Sequence, residues 1–216
     1  MKWLALHRDF RKDRAMFAHQ MLKRGIIALG LGLLSVAQVK AEDWAPEAGF
    51  VSLFNGKDLT GWCFRDKQQV IVDKFDGKTE STGGRYSAKD GVFSVNPPKD
   101  VPRLVAQVWT VQEFPKNFTL KLEFRAAVNA DSGIFLRKPQ LQCRDYLVAG
   151  PYKDLKAYKP QDWNLIEVTV KDNVAHCVCN GEVLEDALKL PQTGPIGLEG
   201  DRGLMEYRHI QLKELP

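Results

Sequence analysis

The residues equipped for acid–base or polar work are few and fall on strand-like segments. Phe118 to Arg125 alternates strictly, with Phe118, Leu120, Leu122 and Phe124 on one side and Thr119, Lys121, Glu123 and Arg125 on the other. That is a strand with one buried and one polar face. Glu123 and Arg125 on the polar face suit either a cross-strand ion pair in solvent or a site. His176 and His209 are the only histidines after residue 41. A neutral imidazole suits a general base or a metal ligand, and alternation turns His176 away from Cys177 and Cys179. His209, among the closing residues, reads as structural. Arg137, with Gln142 on a neighbouring strand, could grip hydroxyls. Trp163 opens a strand beside a loop bearing Tyr152 and Tyr158, and an aromatic face there would either stack on a sugar or fill the core.

Several chemistries are excluded by what is missing. There is no G-x-S-x-G elbow, no H-E-x-x-H pair and no Walker loop. Glycoside hydrolysis by two opposed carboxylates, often written E-x-D-x-x-E on one strand of a β-sandwich, lacks that spacing in every predicted strand. The Cys177-x-Cys179 pair has no second close pair and is a weak metal signal.

The elements that must carry these residues are strands. Period-two patterns recur over 92–95, 104–109, 118–125, 133–137, 141–148, 163–171, 174–179, 182–184, 196–198 and 205–212. Asp172-Asn173 and Asn180-Gly181 separate neighbours as hairpin turns. No segment holds a helical period, so about ten short strands predict an all-β fold of two stacked antiparallel sheets. Residues 65–91 read as one long polar loop and 149–162 as a second, of the kind that covers an edge or a binding face.

The first 41 residues read as a secretory signal. Lys23 and Arg24 precede the 13-residue apolar run from Gly25 to Ala37, and Val39-Lys40-Ala41 offers a cleavage site. The run is too short to span a bilayer, which takes about 20 apolar residues. Met21 stands at the ideal start of such a signal, with Met16 another candidate, and no cysteine flanks the cut. The expectation is an exported protein, periplasmic or extracellular, whose residues 42–216 form one β-sandwich domain. Residues 1–41 hold 8 of the 31 Lys and Arg and 2 of the 27 Asp and Glu, leaving 23 basic and 25 acidic residues, a net of −2. Without a basic run, nucleic acid is a poor partner. Cys63, Cys143, Cys177 and Cys179 could form up to two disulfides or remain buried thiols; Cys177 and Cys179 share a face and are not expected to bond each other.

Six pieces in order resemble one family. They are GFVSLFNGKDLTGW at 49–62, LEFR at 122–125, DSGIFLR at 131–137, DWN at 162–164, GPIGL at 194–198 and EYRHI at 206–210. His176 with Asn180-Gly181 fits the same pattern. Together they resemble the 3-keto-disaccharide hydrolase domain (DUF1080), over Gly49 to Leu215. The resemblance implies a concanavalin A-like jelly-roll sandwich and action on sugars oxidised at C3. A C3 ketone acidifies the C2 proton, so a base can remove it and the C1 glycosidic oxygen can leave. Such a site needs a base near neutral pKa, and donors or a divalent metal ion for the enolate oxygen; no cofactor is certain.

With the resemblance, Glu123, His176 and Asp201 become the catalytic candidates. Arg125, Arg137, Gln142, Asp145, Trp163 and Glu199 become the substrate-binding ones, on a sugar-facing side drawn from Glu123 to Asp201. Two departures stand out. The family pattern Glu-x-Gln-x-x-Asp is Gln140-Leu-Gln142-Cys-Arg-Asp145 here, and the family's late Gln is Glu199. A glutamine cannot take a proton as a carboxylate does. The expected function is therefore cleavage of 3-keto-glycosides by a hydrolase or an elimination-type lyase; the alternative is a lectin-like module that binds a glycan without cleaving it.

Overall fold

The strictly alternating segment becomes the centre of the larger of two sheets. The computed structural model describes residues 44–147 and 152–216. Among them the strands are β1 (Val51–Ser52), β2 (Trp62–Arg65), β3 (Ile71–Lys74), β4 (Tyr86–Lys89), β5 (Val92–Val95), β6 (Ala106–Thr110) and β7 (Phe118–Ala126). They continue as β8 (Asp131–Leu136), β9 (Gln140–Arg144), β10 (Asn164–Lys171), β11 (Val174–Cys179), β12 (Glu182–Lys189), β13 (Ile196–Gly200) and β14 (Met205–Glu214). The eight-stranded sheet runs β12-β11-β10-β7-β14-β5-β4 with β1 added to β14, and the six-stranded sheet runs β3-β2-β6-β13-β8-β9. Every pairing is antiparallel. This is the two-sheet jelly-roll sandwich that the resemblance implies. No helix among the described residues is long and apolar enough to cross a membrane.

Alternation decides what each sheet buries. Phe118, Leu120, Leu122 and Phe124 of β7 and Ile166, Val168 and Val170 of β10 form the inner face of the larger sheet. Opposite them lie Trp62, Val108, Ile134, Leu136, Leu141, Ile196 and Leu198 from the smaller sheet. Each such side chain stabilises the fold by about 1.5–3 kcal/mol through water exclusion. Trp62 packs edge-on against Phe93, with ring centroids 4.9 Å apart, and its indole N–H donates to the Leu53 carbonyl at 2.8 Å, so its one polar atom is satisfied.

Tight hairpins set the registers. Asn180-Gly181, Asp172-Asn173 and Asp90-Gly91 all take positive φ at both central positions, the geometry whose twist matches the strands they join. The third of these lies at the end of the stretch read from sequence as one long loop. That stretch instead contains β3 and β4. Tyr86 and Ala88 of β4 are buried against β5, but only two apolar residues in a polar neighbourhood make a weak pattern. β12 also runs to Lys189, beyond the predicted end at Leu184, because its outer half is polar. All four cysteines are buried free thiols. Cys177 and Cys179 share the inner face of β11, and His176 faces outward. The secretory signal and the cleavage site expected at residues 1–41 lie outside the described residues.

Candidate functional site

The predicted site residues divide between the two outer faces of the sandwich. On the larger sheet, Glu123 of β7 pairs with Arg208 of β14 (2.5 Å) and lies 3.1 Å from His209 Nδ1. Arg125 pairs with Glu206 at 2.7 Å. The guanidinium groups of Arg125 and Arg208 sit 4.6 and 4.1 Å from the Trp163 ring centroid. His176 is exposed on the same sheet, its Nδ1 3.0 Å from Asp186. Gln142, Glu199 and Asp201 belong to the smaller sheet and its rim. A single sugar-facing side running from Glu123 to Asp201 is therefore not what the fold builds, because β7 and β13 lie in different sheets.

Two other candidates tie the fold together. Arg137 is 3% exposed. Its guanidinium donates to the carbonyls of Phe114 (2.7 Å), Lys116 (2.7 Å) and Pro191 (2.8 Å) and to the Asn173 side chain (2.8 Å). Four of its five N–H donors are thus taken by the protein itself, and Arg137 ties buried loops together instead of gripping a hydroxyl beside Gln142. Asp145 is also buried; it accepts from the Asn129 amide (3.0 Å) and the Tyr158 hydroxyl (3.1 Å) and so holds the long loop.

The polar cluster with the potential for chemistry is on the outer face of the smaller sheet. Ile196 and Leu198 of β13 point to the core, which turns Gly197 and Glu199 outward. Glu199 stands opposite Gln107 of β6, whose Nε2 donates to its Oε1 at 3.1 Å. From the other side Gln140 of β9 donates to its Oε2 at 2.5 Å. Gln140 is two strands away from β13, and its side chain reaches Glu199 by crossing β8 over Gly133. A Cβ at Gly133 would lie 2.0 Å from Gln140 Nε2, so only glycine leaves this route open. Gly197 does the same for Trp109: a Cβ would come within 2.6 Å of the indole, which instead lies flat enough to meet Phe135 edge-on at 5.3 Å.

Charges around Glu199 are paired differently from Glu199 itself. Asp131 of β8 accepts from Gln142 (2.5 Å) and pairs with Arg144 (3.1 Å) and Arg202 (3.7 Å). Asp201, just past β13, pairs with Arg103, whose Nη2 is 2.7 Å from Oδ2. Glu199 accepts only from carboxamides and, among the described residues, has no ion pair. It is 8% exposed. Burial pushes its carboxyl above the ordinary glutamate range; the two glutamines pull it back down, and Asp201 and Asp131 add to the rise. Its raised proton affinity suits the carboxylate to act as a general base, and Phe135, partly exposed, offers an apolar edge beside it.

Among the described residues no group of three or more His, Cys, Asp and Glu is arranged to hold a metal ion. Asp131 and Asp201 are already bound to arginines, so this donor set does not fit a divalent cation. In the sequence Gln140 stands out only as a lost acid, Asp131 and Phe135 only as part of the 131–137 motif, and Gln107 and Trp109 not at all. Alternation about Val108 would have put Gln107 and Trp109 on one outer face, but not beside Glu199, which depends on β6 and β13 pairing across 92 positions.

Comparison with known proteins agrees with this architecture. Residues 49–213 match the family described as 3-keto-alpha-glucoside-1,2-lyase-like domain. No curated protein matches. Among solved structures, a presumed glycosyl hydrolase from Parabacteroides distasonis is 18% identical with a TM-score of 0.57, over 78% of this chain and 95% of that one. A second presumed glycosyl hydrolase from the same organism is 21% identical with a TM-score of 0.49, over 60% and 90%.

Proposed function

Because the chain belongs to the 3-keto-alpha-glucoside-1,2-lyase-like domain family, we propose that it is a carbohydrate-active enzyme cleaving 3-keto-glycosides, with Glu199 as the base. The observation that carries this reading is the buried carboxylate of Glu199, which accepts from two amides and has no ion pair among the described residues, on a face whose other carboxylates are paired with arginines. Glu199 takes the C2 proton, and the C2–H electrons form the enolate across C2–C3. As the enolate collapses, the C3 carbonyl returns, C1=C2 forms and the C1–O bond breaks. The departing oxygen takes the proton from the Glu199 carboxyl. Water adding across C1=C2 would complete a net hydrolysis. Arg103 and Arg202, partly exposed at the rim, would supply N–H donors for the developing enolate oxygen. Export is part of the proposal and is supported by the apolar run after Lys23-Arg24.

The test is turnover of a 3-keto-α-glucoside by the wild-type chain and by Glu199→Gln. Loss of about 100-fold or more in kcat/KM is expected for removal of a general base. Equal activity in the variant would exclude Glu199. The amide at Gln140 favours a second reading, a glycan-binding module without catalysis. Saturable binding of a glycan with no turnover of any 3-keto-glycoside would establish it.

A further inference from the structure

We propose that Gln140 is the positioning residue of Glu199, and that the two positions form one exchangeable acid–amide pair. The inference rests on the reading of Glu199 as base and goes further, because it states why an amide at 140 does not remove the acid from the site. Gln140 of β9 and Glu199 of β13 are the two ends of one contact that passes over Gly133 of β8. The two are 59 residues apart in sequence, yet their side chains meet at 2.5 Å. The contact sets one carboxylate against one carboxamide, as the opposite assignment would.

The geometry makes the exchange physically simple. Glutamate and glutamine have nearly the same shape, and a carboxamide facing a carboxylate must present its nitrogen. Swapping the residues reverses donor and acceptor without moving either backbone. Gly133 keeps the crossing over β8 open for either residue. What changes is the second donor. At 199 the carboxylate also accepts from Gln107 at 3.1 Å, whereas the Gln140 amide lies 3.5 Å from the Ser132 carbonyl, an acceptor that cannot stabilise a charge there. The surrounding charged groups are common to both arrangements: Asp131 from β8 with Arg144 and Arg202, Asp201 with Arg103 at the rim, and Tyr86 from the core side.

The experiment uses the full chain as Glu199→Gln, Gln140→Met and the exchanged double variant Gln140→Glu/Glu199→Gln, with folding checked by circular dichroism. Turnover of a 3-keto-α-glucoside is followed across pH. The double variant is expected to regain at least about tenfold of the activity that Glu199→Gln loses, a part of the usual general-base contribution. Gln140→Met, with one donor gone, is expected to move the acidic limb of kcat/KM to higher pH. A folded double variant as inactive as Glu199→Gln, or an unmoved limb in Gln140→Met, overturns the pair. If the wild-type chain turns over no keto-sugar, the base reading fails by itself. The pair is then read from the ¹³C carboxyl titration of Glu199, where a higher midpoint in Gln140→Met supports it and an unchanged midpoint overturns it.

Discussion

Arg208 of β14 stands directly opposite Glu123 of β7 and at the same time covers the Trp163 ring, 4.1 Å from its centroid. One strand step away, Glu206 stands opposite Arg125, which lies on the same ring at 4.6 Å. These are cross-strand pairs in register, each worth roughly 0.2–1 kcal/mol, with a cation–π term of about 0.5–2 kcal/mol added by each guanidinium. The cluster staples β7, β14 and the start of β10 from the outside. Its charges are spent on one another, on the face away from Glu199.

Arg208→Ala should therefore cost stability and not catalysis. The expected loss is about 1–2 kcal/mol, one exposed-to-half-buried ion pair plus one cation–π contact. It would be read as a lower urea midpoint at unchanged slope. Turnover of a 3-keto-glycoside should stay within about twofold, an energy difference well under 1 kcal/mol. A loss comparable to that of Glu199→Gln would bring this face into the chemistry after all.

The two glycines of the polar face should behave differently when filled. At Gly133 the new methyl meets the flexible Gln140 side chain from Cγ outward, 2.5 Å from Cγ and 2.0 Å from Nε2. Gly133→Ala should fold, because the partly exposed Gln140 side chain can swing away as a whole, but it should lose the Gln140 donor and with it about tenfold or more in kcat/KM. At Gly197 the methyl meets the buried Trp109 indole at 2.6 Å. That ring has nowhere to go, so Gly197→Ala should lose about 1–3 kcal/mol of stability by overpacking. Thermal melts and kinetics on the two variants separate the cases, and a Gly133→Ala enzyme with normal activity would show that the crossing amide is dispensable.

Much of the scaffold was legible because it is local. Strict alternation defined β7, β10 and β11, and Asn180-Gly181 marked its hairpin before any contact was known. β4 escaped because Tyr86 and Ala88 alone carry its buried face. The site was less legible for a deeper reason. Glu123 and Glu199 both sit on polar faces of amphipathic strands, and alternation treats those faces alike. Which sheet a strand joins is decided by pairings between distant segments, β13 between β6 and β8 for instance, and no local period encodes them. The Gln140–Glu199 contact needs that topology plus the gap at Gly133, so in sequence it showed only as two separate departures from a motif.

Glu199 also makes the fold less stable at neutral pH. Its folded carboxyl titrates above the ordinary glutamate range, chiefly through burial. The folded chain thus holds the proton more tightly than the unfolded chain, and stability falls as pH rises from the ordinary glutamate range through the raised folded value, then levels off. Glu199→Gln removes that penalty, and rotation of one neighbouring carboxamide to present its oxygen lets the new amide accept from one glutamine and donate to the other. The variant should melt above wild type at pH 7. At pH 4 the two should coincide. A variant less stable than wild type at pH 7 would mean that the charge is well solvated by its two amides.

The four thiols give a check on the core that is independent of the site. Cys143, Cys177 and Cys179 line the interior, and Cys63 is buried on the smaller sheet. Burial pushes Cys177 and Cys179 up to about 12 and Cys143 well above the ordinary thiol range, so almost no thiolate exists at pH 8. An aromatic disulfide reagent should therefore react with none of them in the native state. In denaturant without reductant it should count four per chain. Two or none under those conditions would show that disulfides form in the protein as isolated. Rapid native labelling at Cys177 or Cys179 would show instead that β11 and β12, at the edge of the larger sheet, open at low cost.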